Sequence, residues 1–156
     1  MKFRRLAVYK CLTAFVFLLC ISISALSAQG APNEITSYMA VSDDFNPDLD
    51  FAQVLKVDAR FAPNGTWTLT VRLEHNDEVL PDGSEHYADR WEVVDPRTEE
   101  ILAVRVLLHS HINEMPFSRS LSGIVIPEGL DRVIVRAACT HHGFEGRQVV
   151  VPLIRR

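Results

Sequence analysis

The stretch Thr66-Trp67-Thr68-Leu69-Thr70-Val71-Arg72-Leu73-Glu74-His75 alternates without interruption. Trp67, Leu69, Val71 and Leu73 fall on one face, and Thr66, Thr68, Thr70, Arg72 and Glu74 on the other. Side chains of a strand point to opposite faces in turn, so this pattern predicts a strand with one buried and one wet face. Strands of that kind belong in antiparallel sheets with one solvated side.

The flanking sequence extends the pattern. Upstream, Phe51, Leu55, Val57, Ala59 and Phe61 alternate with Lys56, Asp58 and Arg60, and Pro63-Asn64-Gly65 then breaks the run. A Pro-Asn-Gly break between two alternating runs reads as the turn of a hairpin. Downstream, residues 76–85 hold Pro81, Asp82 and Gly83 and read as a loop. His86 to Asp95 predicts a third strand, with Trp91 and Val93 inward. Ile101 to His111 predicts a fourth, Phe117 to Ile126 a fifth, Leu130 to Cys139 a sixth and Arg147 to Ile154 a seventh. No amphipathic helix is evident. Seven strands separated by turn signals predict an all-β fold, an antiparallel two-layer sandwich of immunoglobulin-like or fibronectin-III-like outline. Its expected core holds Trp67, Leu69, Trp91, Val106, Val133, Val135 and Val151.

The N-terminus has a different texture. Lys2, Arg4 and Arg5 give a basic start, and Leu12 to Ala28 is apolar with small residues at its end. That is the pattern of a secretory signal peptide, with cleavage expected after Ser27 or Ala28. The run is also about long enough to span a bilayer, so an uncleaved anchor is the rival reading, and the one route by which the chain would touch a membrane. Phe17-Leu18-Leu19 precedes Cys20, bulky where a lipoprotein signal needs small residues, so lipidation there is not expected. The domain plan is a signal peptide over 1–28, a linker or loose N-terminal arm over 29–50, and one sandwich domain over 51–156. The expected location is the periplasm, with secretion as the alternative.

Four of the 16 basic residues precede residue 29, leaving 12 against 20 acidic ones, a net charge of −8. An acidic domain whose single lysine is Lys56 lacks the basic stripe that nucleic acid requires. Cys11 and Cys20 lie in the apolar run, which leaves Cys139 alone and excludes an internal disulfide in the mature chain.

Two histidines stand at the end of the fourth predicted strand. On a strand, His109 and His111 would project from one face about 7 Å apart. With His86, His142 or Glu114 they would supply the imidazole and carboxylate donors of a Zn or Cu site. Against this, His-x-His alone has no spacing beyond the pair, and loop histidines commonly bond to nearby backbone and acids. Cys139-Thr140-His141 invites a blue-copper reading, but no methionine follows it, and Cys139 keeps step with Val133, Val135 and Ala137 as a core thiol would. Arg90 and Arg119, flanked by aromatics, could contact an anion or a partner's carboxylate. No serine sits in a nucleophile elbow and no Gly-rich phosphate loop is present, so nothing in the sequence supports an enzyme.

The set His86-Tyr87-Ala88-Asp89-Arg90-Trp91, Leu107-Leu108-His109-Ser110-His111, Glu114-Met115-Pro116-Phe117-Ser118-Arg119-Ser120-Leu121, Ile126-Pro127-Glu128-Gly129 and His142-Gly143-Phe144 resembles a small family of exported bacterial proteins without an assigned function. The resemblance covers about residues 65–154. It implies a periplasmic β-sandwich and carries over no catalytic or binding residue. Two functions follow as expectations: a non-catalytic binding or accessory domain acting on a protein partner, or a metal-binding domain.

Overall fold

A computed structural model describes residues 35–39 and 44–155. The expected signal peptide lies outside the described residues. Within them ten strands form: β1 (Ile35–Tyr38), β2 (Gln53–Phe61), β3 (Trp67–Glu74), β4 (Glu78–Val79), β5 (Glu85–His86), β6 (Ala88–Val94), β7 (Ile101–Val106), β8 (Phe117–Ile124), β9 (Arg132–Cys139) and β10 (Val149–Pro152). One sheet runs β1-β2-β3-β8, a second β10-β9-β6-β7, and β4 pairs with β5 in a short ribbon. Every pairing is antiparallel.

The alternating stretch over 66–75 contains β3, and it behaves as its pattern requires. Trp67, Leu69, Val71 and Leu73 are buried, while the residues between them are exposed or half-buried. The hairpin to β2 closes at Gly65, whose φ of 82° suits glycine, with the Ala62 amide bonded to the Thr66 carbonyl at 2.8 Å. The two four-stranded sheets share one core. Val57, Leu69 and Val71 from the first meet Trp91, Val93, Val133, Val135 and Val151 from the second. Each fully buried Val or Leu side chain contributes about 1.5–3 kcal/mol, so this shared layer is what joins the sheets.

Several expectations need correction. The arm over residues 29–50 is not wholly loose: β1 pairs with β2, Ile35 opposite Arg60 and Tyr38 opposite Val57. The loop over 76–85 contains β4 and the start of β5. The fourth predicted strand ends at Val106 rather than His111. After the Leu107 amide bonds to the Asp89 carbonyl at 2.7 Å, the chain leaves the sheet and Leu108 is 81% exposed. His109 and His111 therefore sit in an irregular loop, not on a strand face. Val106 is not in the core but 53% exposed. The register explains it: Trp91 stands opposite Arg105 and Arg90 opposite Val106, so Val106 shares the outer face with Arg90.

Candidate metal centre

Two inward-facing stripes and a short ribbon meet at the same pole of the molecule, and each brings a group that can bind metal. Along β3 the phase of Leu69, Val71 and Leu73 continues past the strand into His75 and Asp77, both buried. Along β9 the phase of Val133, Val135 and Ala137 ends on Cys139. The third contribution is His86, held opposite Glu78 in the β4–β5 ribbon. Ala88, two residues on, is the cross-strand partner of Cys139, which brings His86 beside the sulfur.

The ligand atoms of His75, His86 and Cys139 all lie within 4.8 Å of one another, and all three residues are buried. His86 Nε2 is 3.2 Å from Cys139 Sγ. His142 adds its backbone N–H, which donates to Sγ at 3.2 Å, and its Nδ1 at 3.4 Å. The ring of His86 packs edge-on against His75, His141 and His142, with centroids 4.6, 4.8 and 5.1 Å away.

A backbone segment closes the pole. The Asp50 carbonyl oxygen lies 3.1 Å from His75 Nε2, 3.0 Å from His142 Nδ1 and 3.5 Å from Sγ. Its position is pinned by the buried Gln53. The Gln53 side-chain NH₂ donates to the carbonyls of Asn46, Asp48 and Phe51, and its oxygen accepts from the Arg147 amide.

His75 is oriented from behind. Its Nδ1 is 2.7 Å from Asp77 Oδ1, while its Nε2 meets the Asp50 carbonyl. Carboxylate and carbonyl oxygens only accept, so both ring nitrogens carry protons and the ring is an imidazolium in the metal-free protein. Burial acts to lower its pKa, but the bond to Asp77 and the contact with Cys139 raise it to about 9. Burial likewise pushes the Cys139 thiol up. The donors around the sulfur (His75, the His141 amide, His86 and the His142 amide) outweigh it and bring the thiol down to about 6. With the thiol lowered and the imidazole raised, the pair favours a thiolate beside an imidazolium near neutral pH. Asp77 stays ionised well below the usual range: burial opposes this, but His75 and the amides of His111 and Ala88 all donate to it.

Of the residues singled out in the sequence, His86 belongs to this group and His142 lies against its sulfur. His109, His111 and Glu114 lie on the neighbouring loop, outside the group whose ligand atoms converge. The rings of His109 and His111 are 4.8 Å apart, and His111 stacks on Phe117 at 3.9 Å. Burial holds the pKa of His111 down, which keeps the ring neutral, and neither ring nitrogen has a hydrogen-bond partner. Its amide donates to Asp77 Oδ2 at 2.6 Å, which ties the loop to the cluster. Glu114 is 3.9 Å from Arg119. Arg119 lies over Phe117 and bonds the Ser118 carbonyl. Arg90 pairs with Asp89 at 2.9 Å and lies over Phe144. Sequence reasoning missed His75 and the Asp50 carbonyl, and it set Cys139 aside as a core thiol. His75 had a signal, since it occupies the inward phase just where its stripe runs out, as Cys139 does.

No family model matches the chain, and no solved structure matches it. The chain is 38% identical, over 104 residues, to a protein of Halomicrobium mukohataei named "Putative lipoprotein"; the match covers 67% of the chain and 48% of the relative. The chain thus spans about half the length of this curated relative.

Proposed function

We propose that this protein is an exported β-sandwich that binds one transition-metal ion through His75, His86 and Cys139. One observation carries the reading: a thiol and two imidazoles, drawn from distant parts of the chain, are buried with their ligand atoms within 4.8 Å. Groups that each need a polar partner when buried are brought here onto one point rather than apart. The Asp77–His75 pair supports it, because a metal-bound histidine characteristically gives its other N–H to a carboxylate. Zinc and copper both accept thiolate and imidazole.

Export is supported by the basic, apolar and small-residue order of residues 1–28, and by the relative's printed name. The immunoglobulin-like outline is supported by strand order. β2-β3-β8 and β10-β9-β6 correspond to the A-B-E and G-F-C strands of such sandwiches, with β7 added beside β6 as a fourth member.

A thiol nucleophile is the second reading, since Cys139, His75 and Asp77 stand in the order of a catalytic triad. Burial favours the metal: Cys139 is 3% exposed, and two further imidazoles crowd its sulfur.

The test is metal content and affinity. Purified protein stripped of metal should bind one equivalent of Zn(II) or Cu(II). Cys139→Ser and His86→Ala should each abolish tight binding. His109→Ala/His111→Ala should keep the stoichiometry. Binding that survives loss of Cys139 but not of the His109–His111 pair would move the site to the neighbouring loop.

A further inference from the structure

We propose that the resident ion is copper and that the site carries one electron, with Cys139, His75 and His86 as the strong ligands and the Asp50 carbonyl as a weak axial one. This rests on the metal-binding reading above. Three features favour copper.

The first is the donor set. A thiolate and two imidazoles with a long axial donor, which can be a backbone oxygen, form the trigonal arrangement of one-electron copper sites. The Asp50 carbonyl is placed for that position, 3.5 Å from Sγ and 3.1 Å from His75 Nε2. A methionine is not needed when a carbonyl occupies this place, which removes the objection that no methionine follows Cys139.

The second is the N–H bond to sulfur. The His142 amide donates to Cys139 Sγ at 3.2 Å. Such a bond draws charge from the thiolate and is a recognised means of setting the potential of a copper–thiolate centre.

The third is rigidity combined with a route outward. Gln53 fixes the strap that carries Asp50, and Asp77 fixes His75, so the ligands are held for either oxidation state. The cluster still reaches the surface, because His86 contacts the exposed His141 at 4.8 Å. The step is Cu(I) to Cu(II) with loss of one electron to a one-electron carrier protein, and the reverse on reduction. No bond is made or broken, and the thiolate remains a ligand throughout.

The experiment uses purified, metal-stripped protein, with folding followed by tryptophan fluorescence. One equivalent of Cu(II) should produce an intense visible thiolate-to-copper charge-transfer band. The band should bleach with ascorbate and return with ferricyanide over repeated cycles. Cys139→Ser should remove it, and His86→Ala should remove or strongly shift it while the protein stays folded. Tight one-equivalent Zn(II) binding with no such Cu(II) band, or irreversible oxidation of the thiol by Cu(II), overturns the copper proposal and leaves the metal-binding reading standing. Failure to bind either ion overturns both.

Discussion

Asp77 joins the cluster to the loop beside it: one carboxylate oxygen lies 2.7 Å from His75 Nδ1, and the other accepts the amide of His111 at 2.6 Å. The same carboxylate also accepts the Ala88 amide at 3.2 Å. A single buried side chain therefore sets the ring angle of a proposed ligand and the path of two backbone segments.

Asp77→Asn keeps the shape and removes the charge. Metal affinity should fall about 10- to 100-fold, the usual loss for a partner that orients a ligand histidine. A competition titration against a chelator of known affinity measures it. An unchanged affinity would mean that His75 needs no orienting partner.

Trp91 is fully buried at the centre of the shared core, and its Nε1 has no hydrogen-bond partner. Its contribution is therefore packing alone. Trp91→Ala should cost about 3–5 kcal/mol in unfolding free energy by chemical denaturation. Conversely, Val106→Ala should change stability by less than about 0.5 kcal/mol, since that side chain is on the outer surface of an edge strand.

Gly146 passes close under the strap that carries Asp50. A Cβ added there would sit 2.2 Å from the Ala52 carbonyl oxygen. Gly146→Ala should displace the strap, lower stability by more than about 1 kcal/mol and weaken metal binding. Gly143→Ala is the control, because a Cβ there meets nothing within 4 Å. Equal behaviour of the two variants in thermal melts and titrations would remove the strap from the account.

The turn between β6 and β7 gives a pH dependence. The Asp95 carboxylate accepts from the Arg97 amide at 2.9 Å and from its guanidinium at 2.8 Å. The Arg97 side chain, above all, holds the Asp95 carboxyl below its ordinary value of 3.8. A carboxyl depressed in the folded state stabilises fully above its unfolded value, and that contribution is lost as pH falls through the lower folded value. The stability difference between wild type and Asp95→Asn should therefore be constant near neutrality and shrink below about pH 4. Denaturation midpoints across an acid series measure it, and a gap that persists undiminished at low pH would sink the assignment.

How far the sequence could be read depended on whether function and packing used the same signal. The alternation over 67–73 and 133–139 marked β3 and β9 because burial alone set it. The β4–β5 ribbon escapes because strands of two residues leave no alternation to detect, and β1 because its four residues are not an apolar run as those of β10 are. Val106 escapes because apolar character does not fix burial on an edge strand, where register decides. Cys139 kept the core phase and so read as one more core residue. Only the meeting of three chain segments makes it a candidate ligand, and no local window contains that meeting. The Asp50 carbonyl is a backbone group and left no residue type to notice.

His75 follows a strand of one sheet, and Cys139 ends a strand of the other. An ion shared between them, as proposed, would act as a clasp, fastening the two layers in a chain whose described part has a single, unpaired cysteine. Ligand that binds only the folded form stabilises it by about 4.1 kcal/mol at a thousand times its dissociation constant. The lifetime of the protein against proteases would then track how much metal its surroundings hold, so that starvation for the ion unfastens the pole and marks the chain for removal.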